Sequence, residues 1–281
     1  MSVKIIVDST ADLRPEVAEK VSIVPLTVHF GDKEYISGVN LTPRKFYEML
    51  VESDELPTTS QPTPVAFEEA FEKAVEEGNE VVCLTCSGKL SGTCQSAHIA
   101  AAEFPGKVHV VDSNTIAIAL GILVEYAVEL MERGFRAEEI SRQLMQKRDQ
   151  VKLLALVDTL EYLKKGGRIS STVALAGGLL NIKPVITIDG GVIKLLGKAR
   201  GSRQGNNLLV QEITKAGGVD FTKPVMLGYT GLSDALLQKY IQDSAPVWAE
   251  YKEQLPVSIV SSVVGTHVGP GAVAVAFFAA E

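Results

Sequence analysis

The sequence contains few of the residues from which disulfides or metal sites are built. Cysteine occurs three times in 281 residues, as Cys83, Cys86 and Cys94. Residues 1–4 lead directly into a strand-like segment, so we expect no secretion signal. An odd number of thiols then favours reduced cysteines and a cytoplasmic location. The Cys83-x-x-Cys86 spacing is half of a zinc or redox motif and has no second half in the sequence, so we predict small buried fillers and no metal site.

Positive charge and long apolar segments are also scarce. Lys and Arg number 27 against 34 Asp and Glu, which gives a formal net charge of −7. We therefore expect no basic surface for nucleic acid or for an anionic membrane. The longest apolar segment, near residues 116–130, is interrupted by Glu125 and Glu129, which argues against stable membrane insertion. Hydrophobic residues make up 46% of the chain, enough for a substantial core.

Short apolar segments alternate with helical patterns through the first part of the chain. Strand-like segments that fit this description lie at residues 3–7, 81–84, 107–111 and 152–157. Their order is typical of a mostly parallel sheet covered by helices on both faces.

The pattern changes after residue 158. A short helix comes first; glycines end it, and a loop that contains arginine follows. A further helix is predicted at residues 172–179. Asp189-Gly190-Gly191 between two apolar strands then indicates a β-hairpin. We therefore predict a two-domain α/β protein. Its N-terminal α/β domain covers residues 1–160, and a C-terminal mixed α/β domain with antiparallel pairing covers residues 161–281.

A turn rich in serine and glycine connects the apolar segment at 81–84 to an alanine-rich helix. It contains two Ser-Gly pairs, at Ser87 and Ser91, followed by Thr93. Glycines allow close approach of backbone to a ligand, and hydroxyls beside a helix start can cap it or face an anion. In an open α/β sheet such strand-to-helix turns are where ligands bind.

A second group of hydroxyls lies at residues 57–64, where Thr58, Thr59 and Ser60 stand among three prolines. We expect the prolines to exclude regular secondary structure and to hold an extended loop. Any one of these hydroxyls is more often a cap or turn residue. Their grouping in two shaped loops favours a ligand site.

Three basic side chains are further candidates. His267 lies in the glycine-rich segment at residues 265–271, where an unusual backbone and close approach are expected and the imidazole could donate to an anion. Arg168 and Arg200 lie in polar segments. Each is either a solvated surface charge or a guanidinium that binds a phosphate or an acidic partner. We assign no role to the other histidines.

Two nucleotide motifs can be set aside, and one catalytic alternative stays open. The Gly-x-Gly-x-x-Ala pattern at residues 269–274 has the alternation of a strand rather than a helix, and neither Gly-Lys pair has phosphate-loop spacing. A serine esterase or acyltransferase would use Ser91 or Ser87 as nucleophile and His267 as base, with Asp8 or Asp112 as orienting group. The Gly-x-Ser-x-Gly elbow of such enzymes is absent from the sequence.

Several short motifs together resemble the DegV family of bacterial lipid-binding proteins over the full length of the chain. These motifs lie at residues 7–13, 59–62, 87–93, 111–113, 160–170, 183–184 and 267–271. The resemblance implies a two-domain α/β protein that holds one long-chain fatty acid in a buried tunnel between its domains. Some members in Gram-positive bacteria present that acid to a separate ATP-dependent fatty-acid kinase, whose acyl phosphate product feeds phospholipid synthesis.

The resemblance also implies roles for particular residues. The fatty-acid carboxylate would meet Thr59, Ser91 and His267, with Ser60 and Ser87 nearby. The arginines Arg168 and Arg200 match positions tied to kinase docking and phosphoryl transfer. The chain itself is then expected to be a lipid-binding protein without catalysis and without a cofactor, so that ATP and metal come from the kinase. A lipid buffer or sensor with no kinase partner is the remaining alternative.

Overall fold

The structure, a computed structural model, describes residues 2–169, 182–251 and 254–280. The helix expected at residues 172–179 lies outside these residues. Numbered in chain order, the strands are β1 (Ser2–Asp8), β2 (Ser22–Val24), β3 (Thr27–Phe30), β4 (Lys33–Ile36), β5 (Thr58–Ser60), β6 (Asn79–Thr85), β7 (Val108–Asp112), β8 (Val151–Leu156), β9 (Ile182–Asp189), β10 (Val192–Arg200), β11 (Met226–Tyr229), β12 (Val257–Ile259) and β13 (Val273–Phe278). The helices are α1 (Pro15–Ala18), α2 (Pro43–Glu52), α3 (Pro64–Glu76), α4 (Thr93–Ala101), α5 (Ala117–Glu132), α6 (Ala137–Lys147), α7 (Glu161–Lys165), α8 (Gly201–Lys215), α9 (Ala235–Asp243) and α10 (Ser262–Val268).

Four strands form a parallel sheet in the order β2-β1-β6-β7. Successive residues of β1 face opposite sides of this sheet. Ile5 and Val7 belong to the core beneath α5 and α6, whereas Ile6 packs with Phe67 and Phe71 of α3. Since strands covered on both faces are buried throughout, their sequences are apolar rather than alternating. The predicted parallel sheet flanked by helices is confirmed.

The second sheet has six strands in the order β10-β9-β8-β13-β11-β12. Strands β9 and β10 pair antiparallel, with Asp189 opposite Val192. Between them Gly190 and Gly191 have φ values of 58° and 81°, which a tight hairpin turn requires. The predicted hairpin and the mixed character of this part of the fold are confirmed.

Strand β8 belongs to the mixed sheet, where it pairs with β13 and β9. A boundary drawn by sheet membership would therefore lie before Val151, whereas the division at residue 160 leaves β8 with the N-terminal part. A buried apolar strand has the same sequence pattern in either sheet, so periodicity could not assign it. The division at residue 160 stays a prediction.

Helix α5 lies between the two sheets. Thirteen of its sixteen residues are buried, because the helix is apolar on nearly all sides. It contacts β1 and β6 of the parallel sheet and β8, β11 and β13 of the mixed sheet. The two sheets thereby share one continuous hydrophobic core.

The proline-rich segment contains a strand. Residues Thr58–Ser60 form β5, which pairs antiparallel with β3 at the edge of a small sheet of order β4-β3-β5. The expectation of no regular structure is wrong here. Pro57 and Pro62 flank the strand and leave its own N–H groups able to pair, and an edge strand tolerates such neighbours.

His267 lies in the last turn of α10, not in a loop. Val263, Val264 and Gly265 have low helix propensity, so the sequence gives little sign of this helix and its form depends on packing. A Cβ on Gly265 would lie 2.6 Å from the Tyr47 hydroxyl oxygen, which shows how closely α10 packs against α2. The unusual backbone expected near His267 follows the helix, at Gly269 with a φ of 75°.

Candidate functional site

The loops after β1 and β6 meet at one end of the parallel sheet. The chain runs from β1 to β2 on one side, while β6 lies on the other side of β1, which makes the crevice between β1 and β6 a topological switch point. Asp8 joins the two loops, because its carboxylate accepts from the N–H of Cys86 at 2.7 Å and from the N–H of Thr10 at 2.8 Å. Burial raises the pKa of Asp8.

A cavity of about 60 Å³, which we call the headgroup cavity, lies beside this crevice. Its described polar lining comes from the loops after β1 and β6, from β5, from α10 and from the segment after α7. The polar or charged lining residues are Thr10, Thr59, Ser91, Arg168 and His267. The remaining described lining is apolar, with Cys86 among it. The structure therefore brings together Thr59, Ser91 and His267, the three residues that the family resemblance assigns to a carboxylate.

Thr59 and His267 contact each other directly, with 2.9 Å between Thr59 Oγ1 and His267 Nε2. Ser60, the next residue along β5, faces the other way, because successive side chains of a strand alternate. Its Oγ lies 2.7 Å from His29 Nε2 at an exposed position. Ser60 is thus near the headgroup cavity in sequence but outside its described lining.

His267 is a neutral imidazole at ordinary pH. Burial, with a smaller contribution from the nearby Arg168 charge, lowers its pKa to about 4. Its Nδ1 is buried and finds no partner in the described part of the chain, and a Cβ on Gly166 would lie 2.4 Å from it. Because an unpaired buried N–H is rare, we assign the proton to Nε2, which then donates to Thr59 Oγ1. The Thr59 hydroxyl hydrogen is left to donate to an anion in the cavity.

The two predicted serines of the β6–α4 turn have different environments. Ser91 lines the headgroup cavity, and its Oγ lies 2.8 Å from Thr93 Oγ1. Ser87 is fully buried and donates to the carbonyl of Gly191 at 2.7 Å, which ties the turn to the β9–β10 hairpin. A Cβ on Gly191 would lie 2.6 Å from Ser87 Oγ, so this contact requires glycine.

The two predicted arginines are also separated. Arg168 lines the headgroup cavity, and its guanidinium donates to the carbonyls of Leu90 and Gly166. Arg200 lies at the exposed end of β10, where its backbone N–H donates to Gln204 Oε1 at 2.6 Å. Arg168 thus borders the cavity, while Arg200 is presented at the protein surface.

A second cavity of about 60 Å³, the deep cavity, adjoins the first. The two cavities share Ile116, Ile193, Val264 and Val268 in their linings. The deep cavity continues between α10 and the mixed sheet, past Leu153 of β8, Ile186 of β9 and Ala274 of β13. The sequence does not single out these residues, because an apolar residue facing a cavity has the same pattern as one facing a packed core.

The serine hydrolase alternative gains no support from these contacts. His267 bonds to Thr59 and Ser91 bonds to Thr93. The carboxylate oxygens of Asp112 accept from the backbone N–H groups of Gly88 and Asn114, as those of Asp8 do from nearby loop amides. The described contacts therefore do not link serine, histidine and aspartate in one chain of hydrogen bonds, as such catalysis requires.

The described residues offer neither a membrane-spanning helix nor a cluster of metal ligands. No helix there is long and apolar enough to cross a membrane. Within the same residues, His, Cys, Asp and Glu do not form a group of three or more that could hold a metal ion.

Comparison with known proteins identifies the family. The family model described as "Uncharacterised protein, DegV family" matches residues 2–280. A DegV domain-containing protein of Deinococcus radiodurans is 37% identical over 286 residues, which cover 98% of each chain. A solved DegV family protein from Thermus thermophilus, described by its fatty acid binding, shares 33% identity and a TM-score of 0.90 over 100% of both chains. The fatty acid kinase B3 protein of Streptococcus pneumoniae, solved with linoleic acid, shares 25% identity and a TM-score of 0.86, also over 100% of both chains. The chain therefore belongs to the DegV family.

Proposed function

We propose that this protein binds one long-chain fatty acid, with the carboxylate in the headgroup cavity and the acyl tail in the deep cavity. The observation that carries the proposal is that the two cavities adjoin, with Ile116, Ile193, Val264 and Val268 in both linings. One end has hydroxyls, an imidazole and a guanidinium, and the other end is apolar. A ligand that fits both ends has an anionic head and a hydrocarbon tail.

The headgroup cavity suits a carboxylate rather than a cation. Thr59 and Ser91 supply hydroxyl donors, Arg168 supplies a positive charge, and the described lining contains no acidic side chain. A buried carboxylate needs such hydrogen bonds, because an unpaired buried charge is costly. Neutral His267 contributes by orienting Thr59, since its Nε2 proton occupies one lone pair of the Thr59 oxygen.

The deep cavity supplies the affinity for the tail. Burial of each methylene contributes about 0.8 kcal/mol, so every methylene that the cavity holds strengthens binding before the costs of ordering the chain. Solved relatives with similar folds, including those from Thermus thermophilus and Streptococcus pneumoniae, are described with fatty acids, which supports this choice of ligand.

We further propose that the protein presents its fatty acid, in the cytoplasm, to a separate ATP-dependent kinase. The relative from Streptococcus pneumoniae is named the Fatty Acid Kinase (Fak) B3 protein. Arg168 borders the headgroup cavity and Arg200 is exposed, so the two could serve at the reacting carboxylate and at the partner's surface respectively. In this scheme the chain carries out no catalysis alone.

Mass spectrometry of lipid extracted from the purified protein tests the first proposal. We expect one fatty acid per chain after expression and purification without detergent. A protein that carries no lipid and takes up none when incubated with oleic acid would contradict it.

Conversion of the bound acid to its acyl phosphate by a fatty-acid kinase with ATP tests the second proposal. A bound acid that the kinase leaves unchanged favours a lipid buffer or sensor.

A further inference from the structure

Asp12 is a buried carboxylic acid that lines neither the headgroup cavity nor the deep cavity. It is 4% exposed, and its backbone is fixed against α5. Its N–H donates to the carbonyl of Ala117 at 3.3 Å, and a Cβ on Gly121 would lie 2.0 Å from its carbonyl oxygen. Glycine at position 121 therefore allows a close contact that leaves the Asp12 backbone little freedom.

The side chain of Asp12 reaches the beginning of α10. Its Oδ1 accepts from the N–H of Ser261 at 2.7 Å, across 249 positions of sequence. Ser261 immediately precedes the helix, and its own hydroxyl finds no partner among the described residues. In many helices a glutamate of the first turn makes this bond to the residue before the helix. Here a distant residue makes it.

Helix α10 connects this bond to the headgroup cavity. It has seven residues, so its ends are about 10 Å apart, and His267 lies in its last turn. Its poor intrinsic propensity makes its position dependent on outside contacts. Besides Asp12, three described hydrogen bonds hold the start of α10. The Tyr47 hydroxyl donates to the carbonyl of Val260 at 3.0 Å, and the N–H of Val260 donates to the carbonyl of Tyr229 at 2.9 Å. The hydroxyls of Ser37 and Ser262 lie 2.9 Å apart.

We propose that Asp12 is a positioning residue for the headgroup site. By accepting the N–H of Ser261 it fixes the start of α10, so that His267 at the other end stays within hydrogen-bond distance of Thr59. The proposal rests on the proposed function, because the pair that Asp12 positions is the pair assigned to the fatty-acid carboxylate.

Two substitutions remove the bond from opposite sides. Asp12→Ala removes the acceptor. Ser261→Pro removes the donor, and the φ of −57° at Ser261 is already the value that proline prefers. We expect each to release cis-parinaric acid, a fluorescent long-chain fatty acid, about tenfold faster than the unaltered protein and to shift the ¹⁵N resonance of His267 Nε2. Asp12→Asn keeps an acceptor oxygen and should restore both values.

The double variant shows whether the two changes act through one bond. If they do, Asp12→Ala with Ser261→Pro releases the probe no faster than Asp12→Ala alone. Asn206→Ala is a matched control, because Asn206 is 1% exposed and donates to Asp243 Oδ2 at 2.8 Å but lines neither cavity. It should lower the melting temperature without changing the release rate or the His267 signal.

Several outcomes would overturn the positioning role. These are an unchanged Nε2 resonance and release rate in both single variants, or equal acceleration by Asn206→Ala. If the unaltered protein binds no cis-parinaric acid and carries no lipid, the fatty-acid proposal fails. The His267 resonance still decides the positioning role in that case.

Discussion

The headgroup cavity and the deep cavity adjoin each other, yet they are built in different ways. The headgroup cavity takes most of its polar groups from the ends of elements, as with Thr10 after β1, Ser91 before α4 and His267 at the end of α10, and Thr59 in the middle of β5 is the exception. The deep cavity is lined largely by the interiors of strands, including Leu153 and Ala274. Under the proposed function, recognition of the carboxylate depends on a few converging side chains with fixed hydrogen bonds, whereas binding of the tail depends on the shape of apolar sheet surfaces.

Filling the deep cavity should have the largest effect. Ala155 of β8 lines it, and Ala155→Phe places a ring in the space of the acyl tail. We expect affinity for cis-parinaric acid to fall by about a hundredfold or more, since several methylenes lose their burial. Fluorescence titration measures this. Ala100→Phe is the control, because Ala100 is 2% exposed in the separate core beneath α3 and α4. Equal loss of affinity in both would mean that overpacking acts through stability alone.

Removing one hydroxyl at the other end should have a smaller effect. Thr59→Val keeps the shape of the side chain but removes its donor to the carboxylate, which should weaken binding roughly tenfold to a hundredfold. Ser60→Ala should leave affinity nearly unchanged, because Ser60 faces His29 on the opposite side of β5. The same titration compares the two. If Ser60→Ala weakened binding more than Thr59→Val, the carboxylate would lie on the His29 side of β5, and the proposed headgroup site would be wrong.

The neutral state of His267 predicts a difference in acid stability. The unfolded chain takes up a proton on this imidazole near pH 6.5, whereas burial holds the folded pKa at about 4. Between these values the unfolded state binds more protons, so stability rises with pH and is lost as pH falls. From pH 7 to pH 4 the protein should lose about 3 kcal/mol relative to His267→Gln. Urea unfolding of both proteins measures this, and parallel pH profiles would contradict a buried neutral imidazole.

Arg200→Ala should have the smallest effect on lipid. The side chain lies at an exposed position at the end of β10, so the amount of bound fatty acid should stay within about twofold of the original. Acyl phosphate formation by a cognate kinase should fall. Arg203→Ala, also exposed and in the neighbouring helix α8, is a matched control for charge. A variant purified without lipid would contradict the separation of binding from presentation.

The sequence predicts the polar end of the site better than the apolar end. The grouping of hydroxyls among glycines and prolines predicts a ligand site, and the family resemblance predicts which residues form it. Thr59, Ser91 and His267 do line one cavity. The parallel sheet and the hairpin could also be predicted, because their signals are local periodicity and turn residues.

The sequence could not predict which way several of these side chains face. The orientation of Ser60 is set by the pairing of β5 with β3. The orientation of Ser87 is set by its hydrogen bond to the carbonyl of Gly191. The strand at Thr58–Ser60 and the helix that carries His267 likewise depend on partners distant in the sequence. The lining of the deep cavity requires the register of strands that are far apart along the chain.

Helix α5 links the proposed tail site to both sheets. Ile116, the residue before this helix, lines both cavities, and the helix itself contacts both sheets. A fatty-acid tail bound as proposed would complete the packing at the junction from which the helix starts. Fatty-acid binding would then stabilise both sheets together. We expect the loaded protein to melt as one unit at a higher temperature, by an amount set by the affinity for the fatty acid.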